Sequence, residues 1–110
     1  MSFFTRRTIV CLCGSTKFRK EFEEANLRET LAGKIVLSVG GFLHSGDGNK
    51  ITPEQKVTLD ELHKDKIDMA DEVLVLNVGG YIGSSTASEI RHAIKHGKTI
   101  RYLEPEPKQT

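Results

Sequence analysis

A chain of 110 residues, 37% hydrophobic and 28% charged, is long enough for one modest core and too apolar to remain disordered. Its formal net charge of +1 offers no electrostatic handle for nucleic acid or an anionic membrane, so neither is expected as a partner. No apolar run approaches the roughly 18 residues of a membrane span, and no signal-peptide pattern opens the chain, so a cytoplasmic location is expected.

Residues 1–5 read as a loose end. Thr8 to Cys13 is a short apolar, partly β-branched run, a first strand. Gly14-Ser15-Thr16 turns the chain into a helix over about Lys17 to Ala32. Phe18, Phe22 and Ala25 mark one face, Leu27 and Leu31 stand beside it, and Gly33 is a plausible stop. Lys34 to Val39 is a second strand, and residues 40–51, with four glycines and no period, form a loop over the sheet edge. Thr52-Pro53-Glu54-Gln55 begins a second helix, with a cap, a proline at the first helical position and a capping-box glutamine. It runs to about Ala70, with Leu59, Leu62 and Met69 facing inward.

Glu72 to Val78 is nearly all apolar, as a strand covered on both faces should be. Gly79, Gly80 and Gly83 turn it into a third helix, from about Ser85 to His96. Its opening Thr86-Ala87-Ser88-Glu89 reads as a capping box with Glu89 in the first turn. Thr99 to Leu103 is a fourth strand. A single domain over residues 1–104 is followed by a polar tail, 105–110. This alternation predicts an α/β, doubly wound, flavodoxin- or Rossmann-like sheet of four mainly parallel strands in the order 2-1-3-4. The switch point then lies between strands one and three, so the turns at Gly14–Lys17 and Gly79–Ser85 face one crevice.

The Gly14-Ser15-Thr16-Lys17 turn offers backbone N–H groups, two hydroxyls and a cation, which suits a phosphate, though it lacks Walker A spacing. An ordinary Ser or Thr helix cap is the plainer reading. Free N–H groups near Ser84 and Ser85 would also attract an anion. Glu89 is either a cap or a nucleophile or base at the crevice. Of the charged residues on the second helix and after it, His63 and Asp71 are expected nearest the crevice mouth, with His44 in the long loop above it.

Cys11 and Cys13 are expected on opposite faces of the first strand, unable to bridge. With no second cysteine pair and histidines scattered at 44, 63, 92 and 96, no structural zinc site is expected. Cys13 and Arg19 have the C-x5-R spacing of thiol phosphatases. The loop between them has one glycine, no Ser or Thr follows Arg19, and no Asp-Pro acid loop exists, so a buried strand-end cysteine is the better reading.

Three stretches resemble the nucleoside 2-deoxyribosyltransferase superfamily, within it the 2′-deoxynucleoside 5′-monophosphate N-hydrolases. Cys13-Gly14-Ser15-Thr16-Lys17 is similar to that branch's C-G-S-x-R turn. Ala70-Asp71-Glu72-Val73-Leu74-Val75 is similar to its A-D-x-V-V-A strand. Gly83 to Ala93 resembles the G-x-G-x-E-x-G-x-A segment around its catalytic glutamate. The resemblance implies that Glu89 attacks C1′ of a deoxyribose, giving a glycosyl-enzyme ester, with a second acid assisting the leaving base. His63 stands where the family has its helper aspartate, Asp60 lies one turn before it, and Asp71 completes the expected catalytic set.

Ser15 and Lys17, within the Gly14–Lys17 turn, and the turn Gly83, Ser84 and Ser85 would hold the 5′-phosphate. Neither metal nor organic cofactor is implied, and a homodimer is. Departures from the pattern are Cys11 in place of a tyrosine, Ser-Ser-Thr where glycines are usual, and Ser88 and Arg91 flanking the glutamate. The implied function is N-glycosidic cleavage of a 2′-deoxynucleotide or related nucleoside, by hydrolysis or transfer, with hydrolysis favoured. Its rivals are a non-catalytic nucleotide-binding module and the thiol phosphatase.

Overall fold

The structure, a computed structural model, describes residues 6–42 and 51–105. The expected loop residues 43–50, His44 among them, and the tail residues 106–110 lie outside the described residues. Strands β1 (Ile9–Cys13), β2 (Ile35–Leu37), β3 (Glu72–Val75) and β4 (Thr99–Tyr102) alternate with helices α1 (Arg19–Leu31), α2 (Pro53–Met69) and α3 (Ser84–Lys95). The sheet is parallel throughout, in the order β2-β1-β3-β4, with Cys13 opposite Val75 and Val75 opposite Tyr102. This is the doubly wound Rossmann-like fold that the alternation predicts.

The strand period of two sorts the core into two layers. Cys11, Cys13, Val73 and Val75 face Ile67 of α2 and Ala93 of α3, while Val10, Leu12 and Leu74 face Phe22 and Ala25 of α1. Cys11 and Cys13 therefore share a face, contrary to the opposite-face expectation, because residues i and i+2 of a strand point the same way. Both are free thiols and fully buried.

The helices bury narrower stripes than expected. Leu27, Leu31 and Met69 are 61–77% exposed, and Leu59 and Leu62 are also solvent-accessible. At about 100° per residue, Leu31 lies across the helix from Phe22, and Met69 across from Ile67. Helix α1 packs on β1 and β2, while α2 and α3 pack on the sheet and on each other, and each helix buries one short row of side chains. On the α1 side the row ends in buried Glu29, bonded to Arg101 of β4 and to Lys34, both of which also reach Glu72.

Helix α2 starts as its residues dictate: Gln55 N–H donates to the Thr52 hydroxyl at 3.0 Å, and Thr52 N–H donates to the Gln55 side chain at 2.9 Å. The other starts differ from expectation. Neither Ser15 nor Thr16 caps α1, which begins after Phe18 with no side-chain cap. Helix α3 begins one residue early, after an extended Gly83, so Thr86 and Glu89 are its third and sixth residues and no capping box forms. Strand β3 ends early because a 3-10 turn at Val78–Gly80 follows, with Gly79 and Gly80 at φ 63° and 83°, the left-handed region that glycine enters freely. Buried Asn77 closes the region by exchanging two hydrogen bonds with the Glu104 backbone. Among the described residues no helix is long and apolar enough to cross a membrane.

Candidate functional site

In a parallel sheet every strand's C-terminal end lies on one edge, so the turns leaving β1 and β3 emerge side by side. They meet in a cavity of about 550 Å³. Gly14, Ser15 and Thr16 form one wall, and Gly83, Ser84 and Ser85 form the facing one. Gly14 allows this approach: a Cβ there would come within 3.1 Å of the Leu76 Cβ and 3.2 Å of its carbonyl oxygen. Among the described residues no side chain caps the start of α3, which leaves its first N–H groups at the cavity wall.

Helix α2 supplies the third side. Lys56, Asp60 and His63 recur at helical spacing and all line the cavity, with Leu59 and Leu62 as apolar neighbours. The Lys56 ammonium donates to Asp60 at 2.6 Å and to the Ser85 hydroxyl at 3.3 Å, tying α2 to the start of α3. Glu89 lines the cavity one helical turn beyond Ser85 and is 9% exposed.

At the base, His63 Nε2 lies 3.9 Å from a Glu89 carboxylate oxygen, 3.4 Å from Cys13 Sγ and 3.7 Å from Cys11 Sγ. Burial raises Glu89 above the ordinary carboxyl value; the His63 charge opposes this and the Cys11 charge adds to it. For His63 burial acts downward, but Cys11 and the Glu89 charge outweigh it, and the net direction is up. The Cys11 thiol is lowered to about 6, chiefly by the hydrogen bond from Cys13, with burial opposing and His63 assisting. Cys13, as that donor, is raised well above the ordinary thiol value.

Of the expected site residues, Gly14, Ser15, Thr16, Gly83, Ser84, Ser85, His63 and Glu89 thus come together. Lys17 does not line the cavity: its ammonium sits 3.7 Å from the centroid of the Tyr81 ring. Asp71 is a clear correction. It precedes β3 and so lies on the opposite edge of the sheet, pairing with Arg6 at 2.7 Å and accepting the Ile9 N–H at 2.8 Å. The phosphatase geometry is not assembled either, since Arg19 pairs with Glu23 and Cys13 is fully buried.

Lys56 was not foreseen, although its place seven residues before His63 puts both on one helical face. Among the described residues, two clusters have the donor types for a metal ion: buried Cys11, Cys13 and His63, and the more exposed Asp68, His92 and His96. No protein-family model and no curated protein matches this chain.

Proposed function

We propose that the protein cleaves the N-glycosidic bond of a 2′-deoxynucleoside 5′-monophosphate or related nucleoside, with Glu89 as nucleophile and hydrolysis favoured over transfer. The observation that carries this reading is the position of Glu89. It has no capping duty, lines the cavity between the two turns, and has His63 beside it. The motif resemblance supplies the substrate class.

In the proposed cycle the ionised Glu89 attacks C1′ and forms an ester as the C1′–N bond breaks. The departing base takes a proton from a neighbouring acid, for which protonated His63 is the first candidate and Asp60 the second. Water then cleaves the ester, giving up a proton to the same group. The start of α3, with Ser84, Ser85 and the Lys56 ammonium, suits a 5′-phosphate, because uncapped N–H groups and a cation both favour an anion. A symmetric homodimer belongs to the same proposal, as does a cytoplasmic location.

The test is chromatography of deoxynucleosides and their monophosphates after incubation with the protein, scoring free base and free phosphate separately. Release of base supports the proposal, and release of phosphate alone overturns it. One observation favours a second reading, a nucleotide-binding module without turnover: burial raises Glu89, which holds back the ionised form that must attack. Ligand-induced thermal stabilisation with no base release from any substrate would establish that reading.

A further inference from the structure

We propose that Cys11, Cys13 and His63 form a binding site for one thiophilic divalent cation of the zinc class, with the fourth position open to Glu89 or to water in the cavity. The alternation of β1 turns both thiols toward α2, where Ile67 packs against them and His63 brings a ring nitrogen to both sulfurs. All three residues are buried, and their donor atoms lie within 4.8 Å of one another.

The convergence on a single nitrogen is the central observation. An imidazole nitrogen carries one in-plane lone pair or one N–H, and can serve one partner well. Here two sulfurs, at 3.4 and 3.7 Å, and a carboxylate oxygen, at 3.9 Å, gather around His63 Nε2. As neutral thiols the sulfurs have protons of their own to share, Cys13 toward Cys11 and Cys11 toward the Leu12 carbonyl at 3.9 Å. No single hydrogen joins all of these groups to the imidazole, whereas a cation among the deprotonated donors binds them at once. Bonds of about 2.3 Å to sulfur and about 2.0 Å to nitrogen place tetrahedral S and N donors about 3.5 Å apart, the spacing found here. Two thiolates and an imidazole select a borderline-soft ion over magnesium or calcium.

The cavity reaches His63 and Glu89, which gives the ion a way in. Binding displaces the thiol protons to solvent, so charge balances without a redox partner. The cluster of Asp68, His92 and His96 lacks this convergence, since His92 bonds Asp68 at 2.7 Å and His96 bonds the His92 carbonyl at 2.9 Å.

The site shares His63, and through its fourth position Glu89, with the glycosidic proposal. An ion on His63 Nε2 takes that nitrogen out of proton transfer and leaves Asp60 as the acid, so the test reads metal rather than turnover and stands or falls whether or not base is released. Full-length protein, stripped with a chelator and kept reduced by a phosphine, is titrated with Co²⁺ and then Zn²⁺. One equivalent of Co²⁺ is expected to give tetrahedral visible bands and near-ultraviolet thiolate-to-cobalt charge transfer, both erased by one equivalent of Zn²⁺. His63→Gln should weaken binding at least tenfold, Cys13→Ser should diminish the charge-transfer band, and His92→Gln/His96→Gln should leave it unchanged. Folded wild-type protein without charge transfer overturns the proposal, even if the cysteine variants do not fold. Co²⁺ uptake without that band, abolished by His92→Gln/His96→Gln, overturns it equally.

Discussion

His63 on α2 and Glu89 on α3 bring their side chains to 3.9 Å at the base of the cavity, in surroundings where neither is freely hydrated. Charge on either one stabilises charge on the other, against the cost of burial. Glu89→Gln separates reaction from packing. The amide keeps the shape, removes the charge that burial penalises and cannot act as a carboxylate nucleophile. The variant should melt at or above the parent temperature, while base release falls by orders of magnitude, each tenfold loss being about 1.4 kcal/mol of barrier. Melting curves and product chromatography on one preparation check both halves; near-parental turnover would remove Glu89 from the reaction.

The cation that bonds at the proposed phosphate position is Lys56, not Lys17. Lys56 bonds Ser85 at the start of α3, whereas Lys17 rests over Tyr81. Lys56→Ala should weaken monophosphates more than the matching nucleosides, by about 1–3 kcal/mol for a lost charged hydrogen bond. Lys17→Ala should show a smaller difference between the two ligand classes. Calorimetric titration of each pair measures this, and equal losses for nucleosides and monophosphates would place the phosphate elsewhere.

Gly14 is needed for space. With Leu76 atoms 3.1–3.2 Å from any added Cβ, Gly14→Ala must push the turn from the end of β3. Overpacking of this kind costs about 1–3 kcal/mol, to be read from denaturant midpoints. Gly40→Ala is the control, since among the described residues nothing lies within 4 Å of its Cβ position.

Acid should loosen the fold through Glu29 and Glu72. Burial alone would raise both carboxyls, but Arg101 and Lys34 outweigh it and hold them below the ordinary value. A lowered carboxyl stabilises the fold above its unfolded pKa, and the contribution fades as pH falls through the lower folded value. Glu29→Gln should therefore lower stability at neutral pH, by about 1–3 kcal/mol before discounting for the partly exposed Arg101. The gap from wild type should close toward low pH. Melting temperatures across that range test the sign, and a gap that widens on acidification would refute it.

The proposed dimer predicts a light-scattering mass of two chains at micromolar concentration, since a 110-residue chain has a small core of its own. Monomer at high micromolar concentration would count against it.

The sequence by itself determined the order of strands and helices, the α2 capping box, the parallel sheet and the meeting of the two turns. Each depends on local rules: a cap reaches three residues, hydrophobic period marks an element, and right-handed crossovers leave few topologies. That Cys11 and Cys13 share a face also follows from the strand period alone, against the expectation drawn from it. Tertiary structure decided what these rules leave open. Thr86-Ala87-Ser88-Glu89 reads as a capping box, but the packed helix starts after Gly83, which takes Glu89 out of a capping position and leaves it in the cavity wall. Asp71 and Glu89 are both acids beside the third strand, but strand direction sends one to each edge of the sheet. Which histidine meets the two thiols depends on how α2 rolls against β1, and side chains fifty residues apart in the chain settle that only when the helix is packed.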